Sequence, residues 1–194
     1  MENQKNQANP SRRSKEVMTD SRFRMMTFFM QLMDIFAGHA KNEFTKLGLK
    51  AGQVVIDYGC GPARYVPFAS RAVGNAGKVI AVDIHPLAIT KVKEKIERHG
   101  LTNVEAVLAN GYSTPIADHT ADMVYALDMF HMIEDPNSFL KELHRLVKKD
   151  GLLIIGDGHQ PREQSLCKIN ASGFWKVEES CKTFMKCKPV YKEI

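Results

Sequence analysis

One stretch constrains this chain more than any other: Val54-Val55-Ile56-Asp57-Tyr58-Gly59-Cys60-Gly61-Pro62. Three β-branched residues run into an acid, and the acid runs into two glycines one residue apart. That is the pattern of a buried strand ending in a tight turn. Glycine permits torsions that a side chain forbids, and it leaves room for a ligand to lie on the main chain. Pro62 is expected to open a helix at its first position, where a missing N–H is no loss. Strand, glycine turn and helix N-terminus together make a nucleotide-type site.

The surrounding chain alternates in the way such a site requires. After a polar stretch over 1–18, expected to be a disordered tail, Asp20-Ser21 offers a helix cap. Phe23, Met26, Phe29, Met30, Met33 and Phe36 follow at helical spacing, Gly38 interrupts, and Phe44 and Leu47 suggest a second short helix ending at Gly48. Residues 19–50 therefore read as a helical cap that folds back over the end of the first strand. From 51 to 194 the pattern is that of one domain: a strand at 53–57, a helix from Pro62 to Val73 and a strand at 78–82 ending at Asp83. A helix from Pro86 then carries Ile89, Val92 and Ile96 on one face and closes at Gly100. Strands follow at 104–108 and 122–127. Asp135-Pro136 opens a helix burying Phe139, Leu140, Leu143 and Val147, and Asp150-Gly151 turns into a strand at 152–155. Strands alternating with helices imply a parallel sheet covered on both faces. The segments Gly173–Glu179 and Thr183–Val190 instead read as an antiparallel pair.

The loop discriminates among nucleotides. A dinucleotide fold wants a third glycine where this chain has Arg64, and the Asp57 carboxylate would face a pyrophosphate unfavourably. No Gly-Lys-Ser/Thr follows the turn, so a nucleoside-triphosphate loop is also excluded. A nucleoside with positive charge and no phosphate suits the site, and S-adenosylmethionine carries a sulfonium and an ammonium.

The stretch VVIDYGCGPARY resembles motif I of the class I S-adenosylmethionine-dependent methyltransferases. VIAVDIHP, LANGYSTPI, ADMVYALDMFHMIEDP and KKDGLLIIGDG resemble the family's later strand motifs in order and spacing, covering roughly residues 50 to 190. The fourth segment is similar to the small-molecule branch that includes the ubiquinone and menaquinone methyltransferases. The resemblance implies an α/β fold, a three-layer α/β/α Rossmann-like sandwich whose seven-stranded, mostly parallel sheet has a reversed last strand. It also implies roles for single residues. Asp57 would orient the glycine turn and attract the methionine ammonium. Gly59, Cys60 and Gly61 would let the main chain approach the methionyl and ribose portions. Asp83 would accept both ribose hydroxyls, a role its position favours over capping the helix at Pro86. Ile84 would pack on adenine, and Gly111 would offer its N–H to the ring. Leu127 would present a carbonyl near the methionyl amine. Asn110 stands where the family commonly has Asp, and its amide oxygen can still accept from the adenine amino group.

Methyl transfer from a sulfonium needs an in-line nucleophile, with a base only where the acceptor loses a proton. Asp128, His131 and His159 are the candidate bases; for His131 a packing role competes equally, and Tyr112 is a further rim residue. The segment after strand four reads Ala126-Leu127-Asp128-Met129, without the Pro-Pro motif of base-amine methyltransferases, and no Pro-Cys nucleophile for cytosine C5 occurs. Cys60, Cys167, Cys181 and Cys187 form no disulfide framework or CxxC. Cys181 and Cys187 could approach across the last hairpin, but no metal site is expected. A net charge of +5 reads as a solvated surface rather than a nucleic-acid site. No apolar run is long enough to cross a membrane, and the polar N-terminus has no signal-peptide core. Arg22, Arg24 and the basic tail leave a membrane-surface role open for the N-terminal helix, although it is short of lysine and lacks tryptophan. Its Met/Phe stripe would adapt to an apolar acceptor. A cytoplasmic small-molecule methyltransferase, monomeric or homodimeric, is the expectation. Methylation of RNA or protein and cofactor binding without turnover are the alternatives.

Overall fold

The computed structural model describes residues 17–37 and 44–191. The expected tail, apart from its last two residues, and the expected break at Gly38 lie outside these. The elements are α1 (Asp20–Ala37), β1 (Val54–Tyr58), α2 (Val66–Val73), β2 (Lys78–Asp83), α3 (Pro86–His99), β3 (Val104–Leu108), β4 (Ala121–Ala126), α4 (Pro136–Leu146), β5 (Val147–Gly156), α5 (Arg162–Ser172), β6 (Trp175–Ser180) and β7 (Phe184–Pro189), with a 3-10 turn at Phe130–Met132. The sheet order is β3-β2-β1-β4-β5-β7-β6. Every pairing is parallel except those of β7, which runs against both neighbours. The reversed last strand is therefore β7, reached by the hairpin from β6.

Alternation along the strands divides the core into two layers. Val55, Val79, Met123, Tyr125 and Ile154 pack with Ala69 and Val73 of α2 and with Phe44 and Leu47. Ile56, Ile80, Val82, Val124, Leu153 and Ile155 pack with Phe139, Leu140, Leu143 and Leu146 of α4 and Ile169 of α5. The sandwich is thus three-layered. The sole tryptophan, Trp175, is buried in the second layer and donates its indole N–H to the Leu140 carbonyl (3.0 Å).

Three local expectations change. Pro62 does not start α2: Ala63 takes a left-handed conformation (φ 59°), so the chain turns once more and Pro67 occupies the helix's first turn. Val147 belongs to β5, and Asp150-Gly151 is absorbed into that strand rather than forming a turn. An unexpected helix, α5, fills 162–172. It buries only Ser165 and Ile169 completely, too few apolar positions to print a helical period.

Candidate active site

The C-terminal ends of β1, β2 and β4, with α1 across them, enclose a cavity. Its walls include Asp57, Gly59, Gly61, Asp83, Ile84, Gly111, Leu127 and Asp128, together with Met18, Phe23, Met26, Met30, Met132 and Ile133. A polar end at the glycine turn thus faces an apolar end built by α1 and the 3-10 turn.

Asp57 is buried, on the α2 side of β1, and in register with Tyr125 on β4. Burial raises its pKa from 3.8 to about 8. The Tyr125 hydroxyl opposes that rise, and the Asp83 charge adds to it. Tyr125 nevertheless falls short of hydrogen-bond geometry, and neither Asp57 Oδ2 nor Tyr125 Oη has a partner. A buried carboxyl oxygen with nothing to bond is costly unless a ligand donor meets it. The turn beyond it is held by β2, since the Gly59 and Cys60 N–H groups both donate to the Val82 carbonyl (2.8 and 3.0 Å). Gly59 has φ 80°, and a Cβ there would press on the Met129 side chain at 3.0 Å. At Gly61 (φ 50°) a Cβ would meet no atom within 4 Å, so this glycine keeps space open.

Asp83 ends β2 beside that turn. Gly61 N–H donates to its Oδ2 (2.9 Å) and His85 N–H to its Oδ1 (2.8 Å). Each carboxyl oxygen thus keeps acceptor capacity toward the cavity. Burial raises the Asp83 pKa, opposed chiefly by these two N–H donors. The cap of α3 is His85, whose Nδ1 accepts from Leu87 N–H (3.2 Å). That leaves Nε2–H to donate to the Met18 carbonyl (3.0 Å), while the ring stacks on Phe23 at 4.4 Å. One buried histidine therefore fastens the start of α1 over the cavity.

The expected residues divide in two. Asp57, Gly59, Cys60, Gly61, Asp83, Ile84, Gly111, Leu127 and Asp128 all line the cavity. Asn110 does not: its main chain bridges to Ser113, it is exposed, and it lines a separate groove with Ser138 and Arg145. His131 and His159 also stand outside the lining, paired with each other at 4.8 Å between ring centroids and nearly perpendicular. His131 packs against Gly158, where any Cβ would clash with Nδ1, and that nitrogen is buried without a partner. Burial, then the neighbouring His159, lowers the His131 pKa. Asp128 has a left-handed backbone (φ 58°), a strained setting for a residue other than glycine and a frequent mark of functional positions. Tyr112 lines the cavity too; Tyr58 Oη–H donates to its carbonyl (2.5 Å), and its own hydroxyl accepts from Asp135 N–H (3.1 Å).

Arg64, Tyr65 and His85 also line the cavity, beyond the site residues expected from sequence. Arg64 lies 5.4 Å over the Tyr65 ring and donates to its hydroxyl (3.4 Å). Their signal was present as the residues just after the glycine turn and just after the β2 acid. Cys181 and Cys187 occupy different settings: Cys187 is buried opposite Val177, whereas Cys181 sits in the hairpin turn with its thiol donating to Glu179. Among the described residues no cluster of metal-binding side chains occurs, and no helix is long and apolar enough to cross a membrane.

The donor set fits S-adenosylmethionine. Asp57 offers an unpartnered buried oxygen to an ammonium, Asp83 offers two oxygens to a pair of hydroxyls, and Gly61 leaves the main chain bare between them. Known proteins agree. The family described as methyltransferase domain matches residues 56–155. The demethylmenaquinone methyltransferase of Alkalihalophilus pseudofirmus is 30% identical over 121 residues, covering 62% of this chain and 51% of that protein. The ubiquinone/menaquinone biosynthesis C-methyltransferase of Klebsiella pneumoniae is 30% identical over 122 residues, covering 62% and 49%. The chain thus spans about half the length of the curated relatives it matches. A SAM-dependent methyltransferase from Aquifex aeolicus superposes with a TM-score of 0.77 over 90% of this chain and 100% of its own, at 24% identity. The [4+2]-cyclase SpnF superposes at 0.59, over 68% and 53% and at 20% identity, so resemblance of fold by itself assigns no reaction.

Proposed function

The chain belongs to the methyltransferase-domain family, and from that premise we propose that it transfers a methyl group from S-adenosylmethionine to a small apolar acceptor. The observation that carries this reading is the two-ended cavity, polar where β1 and β2 end and apolar under α1.

When bound, S-adenosylmethionine supplies an electrophilic methyl on a sulfonium. Asp57, which gives up its proton when a cationic ligand arrives, and the Arg64 guanidinium both line the cavity, and together they suit an amino-acid moiety with ammonium and carboxylate. Asp83 takes the ribose hydroxyls, Ile84 and Tyr112 border the adenine, and Gly111 and Leu127 offer main-chain groups. Phe23, Met26, Met30 and Met132 hold the acceptor by apolar contact and exclude water, and methionine adapts to an irregular ligand. Positioning of this kind can provide much of the rate of an in-line displacement. The curated relatives are named for ubiquinone and menaquinone synthesis, and a quinone precursor is the acceptor class that the apolar end favours. Where carbon is the acceptor a proton must leave, and Asp128 is the expected base within the cavity. His131 and His159 stand behind it as a pair that positions the 3-10 turn.

The test is turnover of methyl-labelled S-adenosylmethionine with a panel of hydroxylated aromatic and quinol acceptors. Labelled product from an apolar ring compound supports the reading. Tight binding of S-adenosylhomocysteine with no product across the panel would point instead to a cofactor-binding protein without turnover.

A further inference from the structure

Helix α1 is apolar on two sides. At about 100° per residue, Phe23, Met26, Thr27 and Met30 share the side turned to the protein, where Phe23 and Thr27 are buried and Met26 and Met30 line the cavity. Met25, Phe28, Phe29 and Leu32 follow at i, i+3, i+4 and i+7 on the opposite side, 58, 63, 57 and 41% exposed. Phe28 and Phe29 touch edge to face at 5.9 Å, and among the described residues no element covers them. Core packing accounts for the first stripe and not for the second. A contiguous apolar strip in water marks a surface that meets something.

The borders of that strip indicate what. By the same helical spacing Arg22 lies on one edge of the strip, two turns before Phe29, and Arg24 on the other, one turn before Phe28, and both are exposed. Apolar side chains between two arginines match a helix lying in a lipid interface, with rings in the acyl boundary and guanidinium groups among headgroups. Residues 1–37 contain six Lys or Arg against four Asp or Glu, within a chain of net charge +5. An anionic surface satisfies these cations. A twofold contact with a second copy would instead bring the arginine borders of both helices together.

We propose that the outer face of α1 docks this protein reversibly on an anionic lipid bilayer. The helix then separates the bilayer from the cavity, so an acceptor dissolved in lipid has a short route past α1 to the site. Docking stands by itself, whereas that route rests on the proposed function.

Vesicle flotation of the full chain tests it, with vesicles of phosphatidylcholine alone or mixed with phosphatidylglycerol. The parent protein is expected to float with the mixed vesicles at low salt and less so at high salt. Replacing both arginines (Arg22→Gln with Arg24→Gln) is expected to weaken partitioning onto the mixed vesicles about thirtyfold. Phe28→Ser with Phe29→Ser is expected to abolish flotation. Neither pair of substitutions should alter S-adenosylhomocysteine binding, which also reports that the variants fold. The proposal is overturned if the parent stays in the aqueous phase with mixed vesicles, or if the phenylalanine variant floats equally. It is also overturned if the parent dimerises without lipid and the phenylalanine substitutions dissolve that dimer. Flotation without S-adenosylhomocysteine binding would keep the docking and refute the methyltransferase reading; the reverse result would do the opposite.

Discussion

Asp83 offers the sharpest perturbation, because two roles make opposite claims on it. Its carboxylate has roughly four acceptor positions, and Gly61 N–H and His85 N–H occupy one on each oxygen. The remaining positions can take two ligand hydroxyls. A hydrogen bond to a charged group contributes about 1.5–3 kcal/mol, so Asp83→Ala forfeits about 3–6 kcal/mol of binding. That corresponds to a loss of at least about 100-fold in affinity for S-adenosylhomocysteine. Asp83→Asn keeps one acceptor and loses the other, for a loss of roughly 10–100-fold. Calorimetric titration gives the affinities, and the emission of buried Trp175, remote from the cavity, follows unfolding independently. If Asp83 only organised the turn, Asp83→Ala would lower the unfolding midpoint and leave the affinity of the folded protein within about threefold of the parent. That outcome would refute the assignment.

Further outcomes follow from the same geometry. Asp57, neutral up to about pH 8 because of burial, binds more protons folded than unfolded. Its stabilising contribution is complete below pH 3.8 and is lost as pH rises to about 8. Asp57→Asn should flatten that slope in denaturant titrations. Binding a cationic ligand near neutral pH should also release up to about one proton, seen as a buffer-dependent enthalpy that Asp57→Asn removes. Gly61→Ala adds a Cβ to open space, so its cost should be about 1 kcal/mol of stability from the positive φ, with a larger loss of cofactor affinity. Gly77→Ala should instead compromise folding, because its Cβ would lie 2.6 Å from the Gln53 carbonyl oxygen. Met30→Trp fills the apolar end of the cavity. It should raise the acceptor KM roughly tenfold with S-adenosylhomocysteine binding unchanged, a contrast read by steady-state kinetics.

The sequence made the sheet legible because its parallel strands are short apolar runs, such as Lys78–Asp83, set between Gly and Pro punctuation. The start of α2 was not, since nothing in Pro62-Ala63-Arg64 announces that an alanine will adopt a left-handed conformation. Helix α5 escaped because packing against α4 and β6, rather than its own periodicity, makes it helical. The site was legible where one backbone segment carries it, as at Asp57, Gly59 and Gly61. The rest depends on register between strands: Asp57 faces Tyr125 across 68 residues of chain, and its burial inside the sheet, which no local pattern announces, raises its pKa. His85 shows a different limit. Its side chain caps α3 and grips Met18 at once, and a long-range contact of that kind leaves no local signature. The place of Asn110 after β3 points it at the cavity, yet with its bridge to Ser113 it lines the neighbouring groove instead.

In the proposed function the polar end of the cavity holds the methyl donor and the apolar end holds a small acceptor. Incubating the full chain with S-adenosylmethionine carrying an isotopic methyl, in an extract of cells, and locating the label by mass spectrometry tests it most directly. Label is expected in a small, organic-extractable compound, and that product is lost with Asp83→Ala. Label confined to RNA or protein, or remaining wholly in the donor while S-adenosylhomocysteine binds tightly, would contradict it.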